Sequence, residues 1–538
     1  MRIRGICLWP LLLGLSVQGL AQQTTAPHLE KIGTLTRLAV DGKPFLVLGG
    51  ELHNSSSSSL AYMRPIWPKL AAMNLNTVLA PVSWELLEPQ EGKFDFSLVD
   101  GLIAQAAQSD LHLVFLWFGS WKNGVSTYAP GWVKEDIGRF PRAQYEHGEN
   151  LETLSTFGRA TREADAHAYA ALMKHIREVD NKHTVLMMQV ENEVGVLGPG
   201  RDQSSAANAA WEQPVPHELL EYLSKNKSTL EPELLEAWKK SGFKASGTWA
   251  EVFGDTRLAQ EFFMAWQYAR YVDAVAAAGK AEYPIPMYVN AWQDQYPGQP
   301  GGDHPSGGPV AYVLDIWQAG APHIDLFSPD IYLADFRTVC AHYGHNGNPL
   351  FIPEARGQVV GGPNALYALG QGALGFSPFA IDSITGNEEL TQAYKALRQL
   401  TPLLAKVDRD HMGSVVQQSS ETKAALVIGG YLLRITYIAP RGESASARPA
   451  SAVPAGGLVI NSGPNEFFVA GQGISLAFSA DSAGPPQTDL LEVEDGSFVN
   501  GTWQAERRLN GDETSSGNSV LLRPGGVGVQ RVRLYRHN

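Results

Sequence analysis

Of 538 residues 44% are hydrophobic and 18% charged, and 13 Trp, 18 Tyr and 20 Phe supply bulk for a large core, which excludes a disordered chain. A formal net charge of −13 argues against nucleic acid or an anionic membrane surface as partner and favours a neutral or small one. Cys7 lies in an N-terminal leader-like segment and Cys340 is then alone, so stability rests on packing and not on an intrachain disulfide.

Arg2 and Arg4 precede an apolar run from Ile6 to Leu20 that closes on Gly19-Leu20-Ala21, the pattern of a secretory signal. Residues 1–21 are expected to be removed and the mature chain to be periplasmic or extracellular. The run falls below the roughly 20 residues of a membrane span, and no later run qualifies. From about residue 40 to 400, short runs rich in Val, Leu, Ile and Phe alternate with helical patterns. Eight strands are predicted: Phe45–His53, Thr77–Trp84, Leu111–Trp121, Thr184–Glu193, Pro286–Trp292, Ile324–Tyr332, Leu350–Glu354 and Ala373–Asp382. Helices are expected over Thr161–Val179 and over Thr256–Ala278, the latter with Asp255 as its cap and Gly279 as its end. This is the pattern of an α/β (β/α)8 TIM barrel over residues 22–410, whose active site lies at the C-terminal strand ends. After a helix over Glu388–Leu404, strand-like runs at Ala424–Tyr437, Gly457–Ile460, Phe467–Phe478 and Val520–Tyr535 predict a C-terminal β-sandwich domain over 411–538, with Gly442–Gly456 as a long loop.

Strand four ends Gln189-Val190-Glu191-Asn192-Glu193, which puts Gln189, Glu191 and Glu193 on one face of an extended strand. Buried carboxylates are retained where they are paired or used, and burial raises their pKa toward that of a general acid. Glu191, the deeper of the two, is expected to be structural. Strand seven ends Pro353-Glu354, again a carboxylate closing an apolar run. If the two strands face each other, Glu193 and Glu354 form a pair at the roughly 5–5.5 Å of a retaining glycosidase. No H-E-x-x-H, P-loop or cysteine cluster occurs, so neither metal nor cofactor is expected. Gly370-Gln371-Gly372-Ala373-Leu374-Gly375 precedes a strand and is expected to be a tight loop.

The stretch Gln189-Val190-Glu191-Asn192-Glu193-Val194-Gly195 resembles the acid/base motif of glycoside hydrolase family 35, β-galactosidases of the retaining (β/α)8 clan. Asp41–Phe45 leading to Gly49–His53, Leu75–Val78, and Trp84–Phe96 agree, over roughly residues 30 to 410. The resemblance implies Glu193 as acid/base, Glu354 as nucleophile and Asn192 as a contact to the sugar 2-hydroxyl. Tyr332 is expected to stack on a sugar or to hydrogen-bond Glu354, Trp121 and Trp292 to stack, and Glu51, His53, Glu85 and Arg356 to bind hydroxyls or hold charge. The chain departs from the family pattern at Pro81, Glu85, Ser120 and Arg356, among the expected sugar contacts. The implied activity is release of terminal galactose from an oligosaccharide or polysaccharide such as xyloglucan. Another terminal β-sugar, glucosamine or arabinose, and a silent carbohydrate-binding barrel are the alternatives.

Overall fold

The computed structural model describes residues 25–296, 298–384, 388–439, 454–499 and 501–538; the expected signal segment 1–21 and most of the expected loop Gly442–Gly456 lie outside them. Eight parallel strands, β1 (Val47–Leu48), β2 (Thr77–Ser83), β3 (His112–Phe118), β4 (Val185–Val190), β5 (Met287–Trp292), β6 (Leu326–Ile331), β7 (Ile352–Ala355) and β8 (Gly375–Pro378), pair in the order β1-β8-β7-β6-β5-β4-β3-β2. The ring is closed between β1 and β2 by Asn76 N–H to Leu48 C=O at 3.0 Å and Leu79 N–H to Gly50 C=O at 2.9 Å. The protein is a TIM barrel followed by a β domain.

Two helices flanking β4 in the chain extend beyond the bounds that periodicity predicts. Helix α1 (Arg159–Val179) packs along α2 (Arg257–Glu282). Thr256, not Asp255, caps α2 by accepting from the Ala259 N–H, and the helix runs through Gly279. That glycine serves close packing: a Cβ there would stand 2.3 Å from the Tyr169 ring. Unexpected elements are a three-stranded antiparallel sheet over residues 28–45 and four short helices between β4 and β5. Gly372 takes φ +85° in the loop after α3 (Gly361–Gly370), so the glycine motif there is a tight turn into β8.

After α4 (Glu388–Leu404) come β9 (Met412–Val416), β10 (Lys423–Ile428), β11 (Tyr431–Tyr437), β12 (Gly456–Gly463), β13 (Glu466–Gln472), β14 (Ile474–Ala480), β15 (Gln487–Val499), β16 (Thr502–Leu509), β17 (Val520–Leu522) and β18 (Gly528–His537). They form a six-stranded sheet, β9-β12-β13-β18-β15-β16, and a four-stranded one, β10-β11-β14-β17. The run expected as one strand, Ala424–Tyr437, is a hairpin turning at Gly429-Gly430, both at positive φ. β15 and β16 were missed because their burial is shallow and their charge high. Alternation explains the docking: Val459, Phe467 and Val469 join the inter-sheet core, whereas Leu458, Ile460, Phe468 and Ala470 belong to the barrel's own hydrophobic cluster.

Candidate active site

β4 ends at Val190, and beyond it Glu191 and Glu193 take left-handed backbone conformations, φ +62° and +44°. Such values are costly for residues with a Cβ and collect where a chain must re-aim side chains. The two-residue alternation expected for Gln189, Glu191 and Glu193 is therefore broken. Glu191 turns to the Trp121 N–H, at 2.8 Å, and to Asp165 on α1, whose carboxylate also accepts from Trp117, Ser120 and Tyr271. Burial, then Asp165, push the Glu191 carboxyl well above the usual range, as expected of an acid enclosed in such a cluster. Glu193 turns instead to the barrel mouth.

There Glu193, Asp330 at the end of β6 and Glu354 on β7 each bring one carboxyl oxygen within 4.8 Å of the other two. All three are buried. Asn290 on β5 ties two of them together, accepting from the Glu193 N–H at 3.0 Å and donating to Asp330 Oδ2 at 2.7 Å. Asn123 Nδ2 donates to Glu193 Oε2 at 2.5 Å, and the Lys122 ammonium stands 4.0 Å from the same oxygen. Burial first, then the Glu354 charge, pushes Glu193 up to about 7. Tyr332 donates to Glu354 Oε1 at 2.5 Å, leaving Oε2 without a partner. Glu51 from the β1 end completes the cluster: it is 1% exposed, and burial and Glu354 raise its carboxyl well above the usual range. Three carboxylates are the donor set for a hard cation; here Lys122 and Asn123 serve Glu193, Asn290 serves one oxygen of Asp330 and the Tyr332 hydroxyl one oxygen of Glu354.

Residues 37–233 match the sequence profile "Glycosyl hydrolases family 35". Residues 390–521 match a domain of unknown function, DUF5597. A β-galactosidase from Xanthomonas manihotis is 32% identical over 195 residues, 35% of this chain and 30% of that protein's length. Among solved structures, a catalytic mutant of a family 42 β-galactosidase from G. stearothermophilus superposes with a TM-score of 0.52 at 12% identity, covering 91% of this chain and 98% of that one. That likeness establishes the fold.

The remaining expected contacts separate into two groups. Asn192 is fully buried and both its amide atoms lack partners, as suits a group awaiting a ligand. Tyr332 is 36% exposed, Trp292 half-buried and Arg356 exposed, all at C-terminal strand ends. Trp121 is a correction: it is fully buried, edge-on to Tyr268 and Tyr271, with its indole N–H donated to Leu154 C=O, so no face is left for a sugar. His53 is held by Asp382, whose Oδ1 lies 3.0 Å from Nδ1 and whose Oδ2 accepts from Ser56, an anchor between the β1 and β8 ends. Glu85, 3.4 Å from Lys134, lines a cavity of about 230 Å³ with Asn54, Pro81 and Tyr128 whose walls include neither Glu193 nor Glu354. Sequence reasoning missed Asn290, Asp330, Lys122 and Asn123. Asp330 and Asn290 carried the same signal as Glu354, a polar group inside a buried apolar run.

Proposed function

We propose that the protein is a retaining exo-β-galactosidase that removes terminal non-reducing β-D-galactosyl residues by double displacement. The closeness of the Glu193 and Glu354 carboxyls carries the reading: each brings an oxygen within 4.8 Å of one on the other, which favours the roughly 5–5.5 Å carboxyl separation of retaining enzymes over the roughly 6.5–9.5 Å of inverting ones. The β-galactosidase relative supports the sugar assignment. Glu354, one oxygen held by Tyr332, attacks the anomeric carbon with the other. Glu193 gives its proton to the departing glycosidic oxygen, then takes one from the water that cleaves the glycosyl ester. A Glu193 pushed up to about 7 keeps its proton for the first step and can accept one in the second. Asn192 meets the 2-hydroxyl and Trp292 the sugar's apolar face. The leader of residues 1–21 supports export, and galactosylated xyloglucan oligosaccharides are the proposed natural chains.

Initial rates on nitrophenyl α- and β-glycosides test the reading, with β-galactose as the first anomer seen by NMR when the β-galactoside is cleaved. Preference for another β-sugar would retain the mechanism and remove the galactose assignment. Release of α-galactose as the first product would overturn retention.

A further inference from the structure

Asp330 takes no part in either step, yet it is built into the site from three sides. It closes β6 beside Trp292 of β5 and Glu354 of β7, and is 2% exposed. Its Oδ2 accepts from Asn290, which in turn accepts from the Glu193 N–H. Its Oδ1 is buried without a donor. One oxygen of Asp330 lies within 4.8 Å of an oxygen of Glu193 and of Glu354. Carboxyls so close in an enclosed site do not all ionise, and an orphaned oxygen is satisfied if it carries a proton and gives it in a hydrogen bond to a facing carboxylate.

We propose that Asp330 is a neutral positioning residue, a carboxylic acid that keeps its proton through the catalytic cycle and hydrogen-bonds whichever of Glu193 and Glu354 is anionic. This rests on the reading of Glu193 and Glu354 as the catalytic pair. At the start of the first step the anion is Glu354, as its proposed role as nucleophile requires. Once Glu354 is esterified and Glu193 has given up its proton, the anion is Glu193, and the Asp330 O–H follows it by rotation, with no net proton transfer. The groups facing Asp330 agree. Burial, then Glu354, Glu193 and Glu51, hold its carboxyl well above the usual range, its charge reaches Tyr288, Tyr332 and Tyr343, and the Lys122 ammonium stands 4.0 Å from Glu193.

Two variants and one spectroscopic reading test this. Asp330→Asn is neutral and keeps a donor, so the basic limb of its kcat/KM profile should stay where the wild type has it and kcat should fall less than about tenfold. Asp330→Ala removes the donor, so kcat should drop about a hundredfold or more with KM little changed. An infrared band of a protonated carboxyl, present in the folded wild type at neutral pH, should be missing from Asp330→Asn. A basic limb lowered by about one pH unit or more in Asp330→Asn would reveal a lost negative neighbour and overturn the proposal, as would identical carboxyl bands in the two proteins. The infrared result does not depend on turnover: a wild type that cleaves no glycoside would overturn the catalytic reading while the band still decides the state of Asp330.

Discussion

In the proposed double displacement Glu193 acts as acid in one step and base in the next, and the residues around it set how well it can do both. Its pKa, pushed up to about 7 by burial and by Glu354, means that the protonated form needed for the first step is lost as pH rises through that value. The kcat/KM profile should therefore fall on a basic limb near 7, and Lys122→Met, which removes the cation 4.0 Å away, should move that limb upward. The separate roles of the pair predict different losses. Glu193→Ala should spare dinitrophenyl galactoside, which needs no proton on its leaving group, while reducing natural glycosides about 10²–10⁴-fold. Glu354→Ala should abolish turnover until azide restores it with an inverted glycosyl azide. Equal losses on both substrates in Glu193→Ala would remove its acid role. These two residues were legible in the sequence because a carboxylate closing an apolar run is conspicuous. Trp121 was misplaced because an aromatic ring near a strand end reads alike whether it faces a sugar or, as here, the Tyr268 and Tyr271 rings.

At the scale of elements, the eight strands were readable from alternating apolar runs, but the loops that aim the site were not. The segment after β4 is pinned to the loop after β5 by Val196 and Ser306, which exchange both backbone hydrogen bonds, and by Gly198 N–H to Gly302 C=O at 2.8 Å. Gly195, at φ +143°, lies so near Pro305 that a Cβ would come within 2.5 Å of its carbonyl carbon. The β5 loop is tied in turn to α2 through a buried cluster: Tyr312 donates to Glu261 Oε2 at 2.8 Å, and His304 Nε2 lies 3.1 Å from the Tyr312 hydroxyl. Burial pushes Glu261 up to about 8 and His304 below its ordinary value, so at neutral pH both are uncharged. The folded state thus binds a proton at Glu261 that the unfolded chain releases near its ordinary value of about 4.3, and the stability this group contributes falls as pH rises between those values. Glu261→Gln cannot lose that proton. Thermal unfolding from pH 5 to 8 should therefore show a steeper fall for the wild type than for Glu261→Gln, the difference about 3–4 kcal/mol, and parallel curves would show that the cluster is solvated.

For the whole molecule, composition and turn residues announced a second, all-β unit, but not that one of its sheets is covered on both faces. That follows from register: on β12 and β13 every second side chain enters the sandwich and the alternate ones enter the barrel's cluster. The contact is polar as well, since Gln392 and Gln399 of α4 accept from the Val527 and Phe498 N–H groups at 2.8 and 3.0 Å. Gly370, at the end of α3, approaches so closely that a Cβ would stand 2.5 Å from Ser414. A domain boundary crossed by one continuous core predicts coupled unfolding. Phe468→Ala, which empties a position 4% exposed between Phe498, Trp503 and the barrel helices, should destabilise by about 3–5 kcal/mol. Calorimetry should show both units shifting together as a single transition. Val469→Ala, on the same strand but facing the other sheet, should be transmitted to the barrel by the same route. If either variant instead split the transition, with barrel melting and glycosidase activity unchanged while the β domain unfolded early, the shared core would be a contact surface between independent domains and not one cooperative unit.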